Sequence, residues 1–284
     1  MNPLFSSPEI LNFIDRCLAE DIGDGDHSAN ACIPLSAKGQ SRMLIKESGI
    51  IAGLELAEVV FHRVDPTLQI THLIKDGTPV EPGDVAFTVT GSARNILTAE
   101  RLVLNLCQRL SGVATSTQRY VQELQGLHTK VLDTRKTTPG MRLLEKWAVK
   151  TGGGENHRIG LYDMIMIKDN HADFCGGLEA AIDQVHAYLA NHGLKLRIEV
   201  ETRNLNEVER TLAKGGIHRI MLDNFDIPTL RKAVKLINGA YETEASGGIT
   251  MSTLRAYAET GVDYISVGAL THSVKSLDIS LKAV

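Results

Sequence analysis

Four apolar runs in the C-terminal half of the chain end at Glu201, Asp223, Ala245 and Val267, so a strand-like segment returns every 22 residues. Each run is followed by a helical pattern or a turn toward one. A strand, a helix and a return in so constant a length leave few folds open. Successive strands lie parallel, right-handed crossovers carry the helices to the outside, and the strand ends come back to one rim. Two earlier runs, KVLD from Lys130 and DMIMI from Asp163, extend the series to six. A closed TIM barrel requires eight, so an incomplete, smaller α/β barrel is expected, with ligands at the rim formed by the C-terminal ends of its strands.

The preceding half lacks this regularity. Ser7 and Pro8 read as an N-cap and first helical residue, followed by Ile10, Leu11, Ile14 and Leu18 on one face and an end near Glu20. AEDIGDGDHSAN reads as a polar loop with a solvated His27. Strand patterns in SRMLIKESGIIAG, LQITHLIKDG and around Val85, Phe87 and Val89 alternate with a helix whose Leu54, Ala57, Val60, Phe61 and Val64 face inward. A helix from Asn95 carries Arg101 and runs to a break at Ser111 and Gly112, after which a second helical piece follows. This gives an α+β sandwich domain over residues 1–112 and the barrel over 113–269, with 270–284 turning back to pack on the first domain. Arg101 by itself reads as a surface residue beside Glu100.

Of 284 residues 43% are hydrophobic, which excludes disorder as a class, and a net charge of -4 gives no support for nucleic acid as the partner. Cys17, Cys32, Cys107 and Cys175 have no metal-ligand spacing and read as reduced, buried thiols. No stretch approaches a membrane span and the N-terminus lacks the pattern of a signal peptide, so a cytoplasmic protein is expected. Against that mildly acidic background, the stretch from Lys130 to His171 gathers Arg135, Lys136, Arg142, Lys146, Lys150, Arg158 and Lys168 around the glycine triplet 152–154. Such a local excess of positive charge calls for a small anionic ligand.

The rim residues suggest three subsites. Ser246, Gly247 and Gly248 stand between a strand and a helix, where backbone N–H groups can bind a phosphate monoester. Glu201 and Asp223 lie on adjacent strand ends and offer oxygen ligands suited to Mg²⁺, or pair with Lys168 or Arg135 instead. Glu199 joins them on the same strand. Arg135, Arg158 and His157 suit carboxylates, since a guanidinium matches a carboxylate bidentately. Together these describe transfer of a sugar phosphate to an acid. Two other readings stay open on the residues alone: a Schiff-base aldolase using Lys168 or Lys136, and a non-catalytic sensor of phosphorylated metabolites.

The ordered segments DTRKTTPG, TGGGENHRIGL, IKDNH, EVE, LDNF, EASGGI and SVGALTHS, with EDIGDGDHS and ERLVLNLCQRLSGVAT before them, closely resemble the quinolinate phosphoribosyltransferases over nearly the whole chain. His27 departs from that pattern, where the family usually has an aliphatic residue. The resemblance implies an α/β sandwich, an incomplete barrel, and homodimers or assemblies of dimers. It further implies that phosphoribosyl pyrophosphate (PRPP) and quinolinate react, with Mg²⁺, to nicotinate mononucleotide, pyrophosphate and CO₂. On that resemblance Arg135, His157 and Arg158 hold the acid, with Arg101 reaching in from a partner subunit. Lys136 and Lys168 contact substrate and pyrophosphate. Glu201 and Asp223 bind ribose and metal. Ser246, Gly247, Gly248 and Gly268 hold the 5′-phosphate, with His272 near the phosphates.

Overall fold

Local signals decide the first elements. In the computed structural model, which describes residues 2–284, the Ser7 hydroxyl accepts the Ile10 N–H at 3.4 Å and starts α1 (Pro8–Ile22), whose Ile10, Ile14 and Leu18 are buried. Asp26 then caps α2 (His27–Cys32) by accepting the Ala29 N–H at 2.9 Å, so a helix stands where the sequence suggested only loop. His27 is exposed on its first turn. The chain continues through β1 (Lys38–Ile45), β2 (Gly49–Ile50), α3 (Leu54–Val64), β3 (Gln69–His72), β4 (Pro79–Val80), β5 (Val85–Ser92) and α4 (Ala93–Glu123). After β6 (Lys130–Leu132) and α5 (Arg142–Thr151) come β7 (Met164–Ile167), α6 (Asp169–Cys175) and α7 (Leu178–His192). Strands and helices then alternate as β8 (Arg197–Thr202), α8 (Leu205–Lys214), β9 (Arg219–Asp223), α9 (Ile227–Ile237), β10 (Glu242–Ser246), α10 (Met251–Ala258), β11 (Tyr264–Ser266) and α11 (Ala269–His272). The last element is β12 (Ile279–Ala283).

The chain divides into two units. The first takes the residues up to Gln118, Pro139–Gly153 and Val274–Val284. Its antiparallel sheet has the order β12-β1-β5-β3, with Met43 opposite Leu281 and Ser41 opposite Val89. Alternation puts Ser41, Met43 and Ile45 inward, where Phe61 and Phe87 meet edge to face at 5.9 Å between centroids. The expected helix break at Ser111 and Gly112 is absent, and α4 is continuous. Gly112 is there because the C-terminal segment crosses the helix: a Cβ at that position would strike the Lys275 carbonyl oxygen. A close approach and a helix stop leave the same residue in the sequence. The first compact unit runs on to Gln118, inside α4.

Helix α5 also belongs to this first unit, and with it Arg142, Lys146 and Lys150, whereas Arg135, Lys136, Arg158 and Lys168 belong to the second. Lys146 is buried, and Glu145 beside it, fully buried, accepts from Arg109 Nη2 at 2.7 Å and Nε at 3.0 Å. Removing one partner of such an ion pair costs about 3–5 kcal/mol. Glu145→Gln is therefore expected to lower the melting temperature by roughly 6–15 °C, a shift thermal denaturation followed by circular dichroism can measure. Gly152 caps α5, and a Cβ there would strike the Ala114 carbonyl oxygen of α4. All four cysteines are free thiols, but only Cys107 is buried and Cys32 is exposed, because α2 is a surface helix with a single buried residue, Ala29.

The second unit comprises Arg119–Thr138 and Gly154–Ser273. Its six strands are parallel, in the order β6-β11-β10-β9-β8-β7, with helices between them, so the fold class is the expected α/β sandwich followed by an incomplete barrel. Strands β6 and β7 stand at opposite ends of that order. Glu155 adds a one-residue parallel bridge beside Leu132, receiving the Asp133 N–H at 3.1 Å and donating its own to Val131 at 2.9 Å.

Candidate active site

Side chains alternate along a strand, so residues two apart share the inner face. The pairs Met166 and Lys168, Met221 and Asp223, Glu244 and Ser246, and Ser266 and Gly268 all line one cavity of about 600 Å³, as does Glu201. In each pair the second residue stands at or just past the strand end. The periodicity that builds the barrel thus delivers one chemical group per strand to the rim.

Glu199, two residues before Glu201, does not reach the rim as expected; it is fully buried below it. Parallel pairing sets it beside Arg219, whose Nη1 donates to Glu244 at 2.9 Å and whose Nε and Nη2 donate to Glu242 at 3.0 and 2.9 Å. The Arg219 guanidinium also lies 4.1 Å from the centroid of the Tyr264 ring. Branched aliphatic residues ordinarily fill this layer of a barrel. Here it is ionic, and its charges are tolerable in the interior because they are paired.

His157 covers this layer. Its Nε2 lies 2.9 Å from Glu199 Oε2 and 3.4 Å from Glu244 Oε2. Burial disfavours charge on the ring, but hydrogen bonding to the two carboxylates prevails and raises its pKa to about 9. Burial, with the charge of Glu244, raises Glu199 to about 7. At the other side of the ring Nδ1 lies 2.7 Å from the Arg158 backbone nitrogen, while the His157 N–H goes to buried Asp133 at 2.9 Å.

Arg158 extends from this support into the cavity, its Nη1 donating to the Met164 carbonyl at 3.3 Å and its Nη2 lying 3.6 Å from Met166 Sδ. Asp163 fixes the following turn by accepting the Ile159 and Gly160 N–H groups at 2.7 and 2.8 Å. Burial lowers the Arg158 guanidinium from its usual range, and the positive charge of Arg135 lowers it further. Two like charges held this close favour an anion between them.

The remaining expected residues gather as follows. Lys168 Nζ donates to Glu201 Oε2 at 2.7 Å, and Asp223 accepts from the Asn224 side chain at 2.6 Å. Ser246, Gly247 and Gly248 lead to α10, whose N-cap Thr250 is held by Thr253, and they line the cavity with Lys136, Gly268 and His272. Lys136 and His272 converge on Gly268, where a Cβ would stand 3.0–3.1 Å from both side chains. The Thr271 hydroxyl fixes the Lys136 backbone by donating to its carbonyl at 2.9 Å. Arg101, exposed on α4 in the first unit, is not among the cavity-lining residues. Sequence reading missed Glu244 and Arg219. The signal present was a charge at an inward position of an otherwise apolar strand.

The second unit thus presents two guanidiniums and two lysines facing carboxylates, with a glycine turn opposite. The C-terminal part of the chain, residues 113–282, matches the family model described as quinolinate phosphoribosyl transferase, C-terminal domain, and residues 26–111 match the N-terminal domain of the same family. The chain is 46% identical to quinolinate phosphoribosyltransferase [decarboxylating] 2b of Nicotiana tabacum, over 99% of this chain and 83% of that one. It is 47% identical to the chloroplastic nicotinate-nucleotide pyrophosphorylase [carboxylating] of Oryza sativa subsp. japonica, over 99% and 79%. Among solved structures it resembles NadC of Streptococcus pyogenes, with a TM-score of 0.92, 40% identity and coverage of 96% and 95%. The nicotinate-nucleotide pyrophosphorylase of Francisella tularensis gives 0.92, 38% and 98% of both chains. Human nicotinic acid phosphoribosyltransferase, at 14% identity and a TM-score of 0.62 over 87% and 70%, shares the fold alone.

Proposed function

Since this chain belongs to the quinolinate phosphoribosyltransferase family, we propose that its cavity is where PRPP and quinolinate become nicotinate mononucleotide, pyrophosphate and CO₂, in the de novo synthesis of NAD. The observation that carries the reading is that Arg135 and Arg158 both line the cavity, where the charge of one disfavours that of the other. A dicarboxylate relieves that repulsion, and its two carboxylates each find a planar fork. A monoacid leaves one site charge unpaired, at a cost of orders of magnitude in specificity.

Lys136, supported by Thr271 and facing Gly268, and Lys168 are placed to neutralise pyrophosphate as it departs. The backbone of Ser246 to Gly248 and Gly268 takes the 5′-phosphate, beside His272. Glu201 and Asp223 face the ribose and favour positive charge at its anomeric carbon as the bond to pyrophosphate breaks. The pyridine nitrogen then bonds to that carbon. Its ring becomes a pyridinium that draws in the electron pair left when the adjacent carboxylate departs as CO₂, and a proton takes the vacated position.

The oxygen-only donors Glu201 and Asp223, each lining the cavity, fit Mg²⁺, which uses few carboxylates together with phosphate oxygens. Bound there, Mg²⁺ would supply charge neutralisation for the pyrophosphate. Incubation with quinolinate, PRPP and Mg²⁺, and product analysis, tests the whole reading. Nicotinate mononucleotide and CO₂ are expected from quinolinate and not from nicotinate in competition; no product from a folded sample would refute it.

Arg101 completes the acid site, in this reading, from a second copy of the chain in a homodimer. Its exposure on α4 and its absence from the cavity of its own second unit support that placement. Arg101→Ala and Arg135→Ala proteins, each inactive, are expected to regain part of the activity when refolded together, and no recovery would refute a shared site. Among the described residues no helix is long and apolar enough to cross a membrane. The reading includes a cytoplasmic location, supported by four free thiols, whereas plant relatives are named as mitochondrial or chloroplastic. Cell fractionation decides between these compartments. The aldolase reading loses support because the Lys168 amine is already engaged by Glu201 at 2.7 Å.

A further inference from the structure

Two subsites of the cavity meet at one rung of the sheet. Asp223 and Ser246 are paired residues of β9 and β10, the last in that register, and the Asn224 N–H continues the ladder by donating to the Ser246 carbonyl at 2.9 Å. Just past this rung both chains turn into the left-handed region, Asn224 with φ of 56° and Gly247 and Gly248 with φ of 100° and 61°. Outside the glycines, only Asn238 shares a positive φ with Asn224 among the described residues. Asn238 caps the end of α9, where that conformation is ordinary. Asn224 follows a strand and lines the cavity, so helix capping does not account for it.

The Asn224 side chain is held from two sides. A carboxylate only accepts hydrogen bonds, so the amide turns its NH₂ toward Asp223, and Nδ2 donates to Oδ2 at 2.6 Å. Its oxygen then faces Gly247, so close that a Cβ there would overlap it. The backbone after Asn224 is fixed as well: Phe225 is buried, and its carbonyl accepts from the Tyr257 hydroxyl of α10 at 3.2 Å. That helix is the one the glycine turn leads into. A single amide thus stands between the carboxylate of one strand and the turn of the next, with little freedom to move.

We propose that Asn224 is a positioning residue: wedged against Gly247, it holds the Asp223 carboxylate at a set distance from the turn of Ser246, Gly247 and Gly248. A pentose phosphate presents its ring hydroxyls and its 5′-phosphate at a limited range of separations, and the wedge matches the two subsites to that range. Asparagine suits the place because it tolerates left-handed backbone and carries its donor on a short side chain. The proposal rests on the reading of the cavity as a phosphoribosyl site.

The test uses the full-length protein and metal-free equilibrium titrations, one with ribose 5-phosphate and one with quinolinate. Glycine keeps the left-handed backbone and removes the side chain. Asn224→Gly is therefore expected to weaken ribose 5-phosphate at least about fivefold, and quinolinate by less than about twofold. In an Asp223→Ala background the same replacement is expected to change ribose 5-phosphate by less than about twofold, because the carboxylate it positions is gone. An equal factor in both backgrounds would mean that Asn224 serves the turn or the ligand directly, and would overturn the proposal. So would unchanged ribose 5-phosphate affinity in Asn224→Gly, or an equal loss for quinolinate. If Asn224→Gly does not fold, Asn224→Ser, which shortens the side chain away from Gly247, takes its place with the same expectations. Parent protein that binds quinolinate but not ribose 5-phosphate would instead overturn the reading of the site.

Discussion

Arg158→Leu is expected to raise the KM for quinolinate by about 100-fold, with the KM for PRPP changed by less than about threefold. Truncating one partner of a desolvated charge pair costs about 2–5 kcal/mol, and the partial exposure of Arg158 places this case toward the lower end. The structure adds a second, opposite expectation. Because Arg135 and burial both weigh against the Arg158 charge in the empty protein, removing that charge relieves repulsion. The melting temperature of the unliganded variant is therefore expected to be no lower than that of the parent, despite loss of the 3.3 Å bond to the Met164 carbonyl. Steady-state kinetics and a thermal melt on the same preparation check both. A fall in KM specificity together with a large loss of stability would mean that Arg158 is a structural residue, not a ligand. This opposition of stability and function is what a preorganised charged site produces.

Gly247→Ala is expected to weaken PRPP at least about 30-fold and to lower the melting temperature by roughly 3–10 °C. Two independent causes act at this position. Its φ of +100° is one that side chains rarely adopt, and a Cβ there would fall on the side-chain oxygen of Asn224. Asn224 cannot simply withdraw. It is itself left-handed, with φ of 56°, and its N–H donates to the Ser246 carbonyl at 2.9 Å. The double variant Gly247→Ala/Asn224→Ala separates the side-chain collision from the backbone causes, since it removes the Asn224 amide group and leaves the dihedral strain and the 2.9 Å approach to the Asn224 nitrogen. Partial recovery of PRPP binding is expected. Full recovery would show that the collision alone matters, and none would assign the effect to the backbone. Isothermal titration with PRPP and Mg²⁺ reads all three proteins.

The architecture of the second unit was open to sequence reading because each of its strands carries the same short-range signal: an apolar run, a polar end, and a helix after it. Six runs became six strands, and the residues at their ends came together as the period-two rule requires. What escaped was information held in long-range packing. Gly112 looked like a stop, because a glycine in a helix carries no mark of the Lys275 carbonyl that crosses it. Arg142, Lys146 and Lys150 looked like neighbours of Arg135 and Arg158 because they are so in sequence, whereas α5 belongs to the first unit. Arg219 and Glu244 looked like ordinary strand residues; the register of β9 against β10 sets Arg219 opposite Glu242, and from there its Nη1 reaches Glu244 at 2.9 Å. The approach of Arg158 to Met164 likewise depends on the open end of the sheet, which no local pattern encodes.

The pairing of β12 with β1 has a consequence for synthesis. The segment that covers one side of β1, with Leu281 opposite Met43, is translated after the whole of the second unit. During elongation β1 has β5 on one side and nothing from this chain on the other, so its peptide groups stay available to water, chaperones or a neighbouring nascent chain. The second unit, whose six strands all precede β12, can assemble during that interval. A vectorial order follows, in which the unit begun first is finished last. Slow decoding between β11 and β12 would therefore lengthen the vulnerable period of the first unit alone.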